Sequence, residues 1–499
     1  MSTLTALARV QAVAAGVAQP IATVRHVHLA ERPMVVVPLT LAGEANAPLA
    51  AMVGADPDAP RLLIVPEPRN RDLRFAFAAE LAAALLPYID AHCGETELVA
   101  ADRGREVRHR YRDAPQVLVP NTASVSFLRL LGRSTRFRRT DGAHAVHPSV
   151  PLLGQWLTFL AERAEYPGSS LLVAMTEALA LHWATGQSAL EDQNLAALLG
   201  WIDPPPGRSG AEAAALAEDP AVWPPAGPLT DPEFDRTRLA PAIAEYQAAA
   251  DERARRRAYA TLEELLRSQL APTWELMWRG VARLRRLPPG ERVANRWAVD
   301  RTAFTEYADY VRSGESRPQP RRDGAVAAAQ RLDRWERAQA SYAAQRAYDD
   351  PLVLADYRLT GEAFAGVVTA AQPDRVDDRG KRPVLRPRIE VVTEDWMPLR
   401  PGAVVYSPAR PRQRATVVSV TPRDGATAVV LELAGGMGRS LTAPPGSVPA
   451  VGEWVAYTTL TDEYRPPAAF PAPEETPWTH GGPPVGDELT EQDADEDWS

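Results

Sequence analysis

The sequence predicts a multidomain α+β protein in four parts: an N-terminal α/β region, a central helical region with long helices, a small C-terminal five-stranded β-barrel and a disordered acidic tail. Three patterns carry that reading. Short β-rich runs flank a helical run before residue 120. Large apolar residues then recur every three or four positions through the middle of the chain, and after Leu359 the period becomes two. A chain of 499 residues that is 45% hydrophobic has the material for more than one core.

The opening stretch MSTLTALARVQAVAAGVAQP lacks a basic start and is broken by Arg9 and Gln11, so it predicts a short amphipathic helix and no secretory leader. Within an α/β domain at 1–120, strands are expected at 34–39, 61–66 and 116–120. Between them, Leu73, Phe77, Leu81 and Leu85 mark one face of a helix over 72–89, which Pro87 ends or kinks. A helical domain at 121–202 follows, with helices in SVSFLRLLG, VPLLGQWLTFLAERAEY, SSLLVAMTEALALHWATG and NLAALLGWI. Residues 203–232, rich in proline, read as a linker. In a stalk-like region at 233–358, Tyr259, Leu262, Leu266, Leu270, Trp274, Trp278, Val281 and Leu284 define one long helix with a kink expected at Pro272. Val326, Leu332, Trp335 and Tyr342 define a second, and the two lengths suggest a protruding hairpin or stalk. Strands at 384–393, 402–408, 414–422, 427–436 and 453–460 build a small barrel of the OB or SH3 kind within 359–460, and 461–499 is Pro-rich and then acidic.

The formal charge of −9 comes from 55 Lys+Arg and 64 Asp+Glu, unevenly placed. Nine acids and no Lys or Arg lie in 474–499 (Glu474, Glu475, Asp487, Glu488, Glu491, Asp493, Asp495, Glu496 and Asp497), so residues 1–473 are balanced. Lys381 is the sole lysine and sits in DDRGKRPV. That excludes a GxxxxGK[ST] phosphate loop and its ATPase chemistry, and position 379 is arginine, which excludes an acid-x-Lys nuclease signature. One cysteine, Cys93, excludes an internal disulfide and a cysteine zinc cluster. No run of 18 apolar residues occurs, so neither a membrane span nor a membrane partner is expected, and the location is read as cytoplasmic.

Arginine is the strongest functional signal. Between Asp251 and Arg346 stand 20 arginines against 13 acids. Arg279, Arg283 and Arg286 form a stripe at i, i+4 and i+7, and Arg331, Arg334 and Arg337 form a second row. Planar guanidinium forks suit phosphate oxygens, and the bland alternative is a solvated face. RSTRFRR supplies Arg133, Arg136, Arg138 and Arg139 beside Phe137, whose ring suits base stacking. Arg108, Arg110 and Arg112 share a strand face, a pattern that shielding of an edge strand explains equally well. The barrel adds Lys381 and the alternating Arg410, Arg412 and Arg414, with Arg379, Arg382, Arg386 and Arg388 nearby.

Catalytic signals are thin. His26 and His28 form an HxH pair and His144 and His147 an HxxH pair, each able to hold a metal only if a carboxylate converges. Asp72, Glu80, Asp90 and Asp102 have no metal-site spacing, and no catalytic residue, cofactor or metal is assigned.

The segment AQRLDRWERAQASYAAQRAYDDPLVLADYRLTGEAFAGVV, running into a small barrel, resembles the stalk-and-barrel insertion of Upf-like superfamily 1 helicases over roughly 323–460. The resemblance implies contact with single-stranded nucleic acid, and no motor motif accompanies it. The expectation is a non-catalytic nucleic-acid-binding accessory protein, for DNA first, that works with a separately encoded helicase or nuclease in DNA repair or phage defence. The alternatives are a protein–protein scaffold docking through barrel and tail, and a divergent metal-dependent hydrolase around His26 and His28. The tail EQDADEDWS, ending near Trp498, suits docking on a partner or competition for the Arg surface.

Overall fold

A computed structural model describes residues 2–44, 47–100, 107–314, 324–380, 382–472 and 475. Lys381 and nearly all of the acidic tail lie outside the described residues.

The N-terminal sheet has five strands in the order Arg61–Ile64, Pro48–Gly54, Met34–Thr40, Val117–Val119, Leu172–Ala174. The first three form an antiparallel meander, and the last two run parallel to Met34–Thr40. MVVVPLT is buried along its whole length, as a run apolar on both faces requires in a central strand. Val36, Val53, Val117 and Val119 face helices Arg71–Ala91, Thr122–Thr135, Ser149–Ala164 and Val293–Arg312. Val35, Val37, Met52 and Leu118 face helices Leu195–Ile202 and Glu252–Arg285.

These two layers redraw the expected divisions. The strand Leu172–Ala174 belongs to the same sheet as residues 34–64, although its segment reads as a continuous helix in sequence. Leu171 and Leu172 are a short apolar run buried in the sheet, which periodicity alone does not separate from a helix. The proline-rich 203–232 is packed onto the body: Ala214, Ala217 and Ala226 enter the core, and Thr40 N donates to Pro228 O. Helix Glu252–Arg285 is a core helix and not a free stalk, because Leu262, Leu266, Leu270, Trp274, Met277, Val281 and Leu284 lie against the sheet. Pro272 and Pro87 both sit inside continuous helices. Helix Val293–Arg312 has no counterpart in the sequence reading; it covers the opposite layer through Trp297, Phe304 and Ala308.

Helix Ala325–Asp349 differs from the others. It buries only Ala344 and Ala347, near its C-terminal end, and a short helix Pro351–Thr360 leads from it into the barrel.

The barrel is closed and has six strands, not five, in the order Ala363–Gln372, Arg388–Thr393, Ala426–Ala434, Arg410–Arg423, Val404–Ser407, Trp454–Thr458. The strand missing from the sequence reading is AFAGVVTAAQ, whose alanines give a weak β signal. Its Gly366 passes so close to Arg388–Thr393 that a Cβ there would collide with the Val392 carbonyl oxygen. Glycine is what lets this strand pair on both sides and close the barrel.

Since both helical layers share one sheet, the body should unfold as a unit. Leu128→Ala and Leu266→Ala, one in each layer, should each lower the unfolding free energy by about 2–5 kcal/mol without splitting the transition. Guanidinium denaturation followed by tryptophan fluorescence and circular dichroism checks this, and two separated transitions would contradict it.

Candidate nucleic-acid interface

A buried polar seam fixes helix Ala325–Asp349 to the body. Asp349, whose carboxylate is fully buried, accepts from Arg292 N at 3.1 Å and Arg292 Nη1 at 3.0 Å. Asp350 caps the next helix through Leu352 N (2.9 Å), and also accepts from Thr23 N (2.7 Å) and Thr23 Oγ1 (3.0 Å). His26 Nε2 stands 3.3 Å from Asp350 Oδ2, an ion-pair distance without hydrogen-bond alignment. Arg296 donates to Gln345 Oε1 (3.0 Å) and His26 O (2.9 Å), and its guanidinium lies 5.2 Å from the Tyr342 ring centre. Asp300 accepts from Arg163, Ser169 and Ser170, closing the seam at its other end.

This seam also settles the histidine pairs. His182 donates from Nδ1 to Ala178 O (2.6 Å) and accepts from His26 N at Nε2 (2.9 Å), which defines its neutral tautomer. His28 stacks on Trp297 with ring centres 3.9 Å apart. Burial pushes His182 down to about 3 and His28 to about 4, and lowers His26. Burial opposes ionisation of Asp350, but the adjacent His26 ring and hydrogen bonds from Thr23 and Leu352 hold it at about 2. His147 instead bonds Ser149 on an exposed loop, so the two pairs share no pocket. Among the described residues no group of three His, Cys, Asp or Glu is placed to hold a metal.

Beside the seam, a groove of about 860 Å³ runs between helices Thr122–Thr135, Ser149–Ala164, Val293–Arg312 and Ala325–Asp349. Arg129, Arg133, Arg136, Arg163, Arg331 and Arg334 line it, against Glu162, Glu165 and Glu306. Its floor is aromatic: Phe159 and Tyr307 stack at 4.2 Å, with Tyr310, Tyr166 and Trp335 around them. Gly154 positions the basic wall, since a Cβ there would strike the Arg136 backbone; its absence lets the end of Thr122–Thr135 rest on Ser149–Ala164. A second groove of about 680 Å³ continues along Ala325–Asp349, shares Arg163, Tyr166 and Arg334 with the first, and ends at Asp462–Arg465 beyond the barrel.

The structure therefore gathers part of the sequence-predicted set and disperses the rest. Arg133, Arg136, Arg331 and Arg334 converge on one groove from segments far apart in the chain. Arg337 lines the second groove and pairs with Asp333 at 2.9 Å. Phe137 is half-buried with the Arg136 guanidinium 4.6 Å from its ring centre, so that face is already covered. Arg138 lies over Phe75 and Arg139 pairs with Asp141, both outside the grooves. Arg279 and Arg283 belong to the helix on the other side of the sheet, Arg286 caps its C-terminal end, and Arg283 rests on Trp183. On the barrel, Arg410 pairs with Glu453 at 2.8 Å, while Arg412 and Arg414 point outward and line neither groove. Arg110 pairs with Glu97, and Arg388 with Glu432. Sequence reasoning missed Arg129, Arg163 and the aromatic floor. Trp335 reads there as part of an apolar helix face, and only the tertiary arrangement shows that it borders a groove.

No protein-family model, curated protein or solved structure matches the chain.

The neutral buried histidines set a pH dependence. A histidine whose folded value lies below its unfolded value near 6.5 leaves the unfolded chain holding more protons as pH falls. Stability is therefore complete above about 6.5 and declines toward pH 4, and Asp350 adds a further loss below about 4. Each histidine contributes a slope approaching about 1.4 kcal/mol per pH unit. Thermal melts should show Tm falling from pH 7.5 to 5, less steeply in His28→Asn. A Tm independent of pH over that interval would refute the account.

Proposed function

We propose that this chain is a non-catalytic nucleic-acid-binding accessory protein that holds the phosphate backbone in the groove beside helix Ala325–Asp349. One observation carries the reading. Four arginines singled out in sequence, Arg133, Arg136, Arg331 and Arg334, come from two helices far apart in the chain and meet over an aromatic floor. Guanidinium groups with interleaved rings provide backbone contacts and stacking together, the combination that binding to a single strand uses. The resemblance of 323–460 to a helicase stalk and barrel supports the same assignment. In this reading the chain serves a separately encoded helicase or nuclease, in DNA repair or defence against phage, and DNA is the first ligand to test.

A scaffold role is the second reading, favoured by Trp454, which is 63% exposed on the barrel wall beside Val367, its cross-strand neighbour. A partner recovered from cell extract after nuclease treatment would support it over the first.

Binding of single- and double-stranded DNA should weaken linearly in log affinity with log salt concentration. Arg133→Ala and Arg334→Ala should each reduce affinity severalfold and lower the salt slope by about 1, whereas Arg279→Ala should leave both unchanged. Fluorescence anisotropy from 50 to 300 mM salt (about the useful window) checks this. No binding at the lowest salt, or an equal effect of Arg279→Ala, would overturn the proposal.

A further inference from the structure

We infer that the Arg-lined groove is also the docking site of the chain's own acidic C-terminal segment, 474–499. The inference rests on the groove as a polyanion site and not on nucleic acid being its ligand.

Three observations lead to it. First, the chain leaves the barrel along the groove system. Tyr348 OH donates to Leu460 O at 2.7 Å, and Tyr406 OH to Glu463 at 3.3 Å. Asp462 stands 3.8 Å from Arg292, and Tyr464 and Arg465 line the same groove as Arg334 and Arg337. The chain thus runs into a groove whose arginines and carboxylates balance, and which adjoins the Arg-rich one through the shared Arg163 and Arg334. Second, six guanidiniums line the groove of Arg133 and Arg334 against three carboxylates, with Arg129 paired to Glu165 and Arg163 to the adjoining Asp300, and the segment holds nine carboxylates and no Lys or Arg. Arg334 itself is exposed and has no carboxylate within ion-pair distance among the described residues. Third, the segment ends in EQDADEDWS, acids followed by Trp498, which suits guanidinium walls over an aromatic floor.

Reach is no obstacle. The 24 residues after Glu475 span up to about 80 Å when extended, and Arg331 lies only about 5 Å farther along the helix than Arg334. Tethering gives the segment an effective concentration in the millimolar range, so modest contacts suffice to keep the groove occupied. A polyanion entering the groove has to displace it.

The scarcity of lysine supplies a clean test in the full-length chain. Arg334→Lys and Arg133→Lys each place one amine in the groove, and Arg279→Lys places one on the far side of the sheet. Carbodiimide joins an amine to a nearby carboxylate as an amide, which mass spectrometry of the monomer band maps to residue pairs. Circular dichroism establishes that each variant keeps its fold. Peptides joining 334 or 133 to acids of 487–497 should exceed those joining 279 to them by at least about tenfold, and should fade as salt rises. Their absence, or equal coupling from Arg279→Lys, would sink the inference. Adding a single-stranded oligonucleotide separates the two readings. Coupling that drops supports both; coupling that persists leaves tail docking standing and argues against nucleic acid as the ligand. Absent coupling in a chain that still binds DNA with a steep salt slope refutes tail docking alone.

Discussion

Two adjacent aspartates, Asp349 and Asp350, hold the molecule's outer parts to its inner ones. Both carboxylates are without solvent exposure, and a buried carboxylate needs donors around it. Arg292 supplies them to Asp349, while Thr23 and Leu352 supply them to Asp350, with the His26 ring 3.3 Å away. The donors come from Thr23 in the N-terminal segment, from Arg292 at the start of helix Val293–Arg312 and from Leu352 in the next helix, so the helix junction at 349–350 has one position in which all are satisfied. Every feature beyond it inherits that position: the direction of helix Ala325–Asp349, the wall it gives the groove, and the seat of the barrel.

The groove is a product of this arrangement and of close backbone packing. Gly154 brings the basic end of Thr122–Thr135 down onto the next helix, and the seam sets helix Ala325–Asp349 opposite. Arginine suits the resulting wall better than lysine would. Its planar head stacks on rings while its edge still donates, as Arg163 does over Tyr166 at 4.1 Å while bonding Asp300. The carboxylates in the groove limit its net charge, and that bears on ligand choice: a polyanion gains from several arginines at once, whereas a single small anion does not.

Much of the fold can be read in the sequence where periodicity is strong and local. MVVVPLT, the helix at Arg71–Ala91 and the repeat from Leu262 to Leu284 all announce themselves. What fails to show has physical causes. AFAGVVTAAQ is a strand because its neighbours on both sides accept it, and Gly366 makes room for that pairing. Leu172–Ala174 is a strand because a sheet edge is waiting for it. The prolines of 203–232 mark turns correctly, yet the turns lie flat on the core, and proline content says nothing about what a loop packs against. At the site the arginine pattern is informative but incomplete. Sequence shows which residues carry charge; it does not show that Arg337, Arg139 and Arg410 meet carboxylates while Arg334 is open to the groove. Nor does it separate the two faces of the sheet, on which the Arg279 stripe and the Arg133 cluster lie apart.

Helix Ala325–Asp349 is anchored near one end, at Ala344, Ala347 and the aspartate seam, and runs outward over the groove with little buried surface. Mechanically it is a cantilever. Any bending would displace Arg331 more than Arg337, so the two arginines would differ in compliance although they share a row. A ligand lying along the groove would then meet a stiffer contact near the barrel and a more yielding one toward Arg133. The same wall can therefore accommodate chains of different thickness at one end while keeping a fixed register at the other.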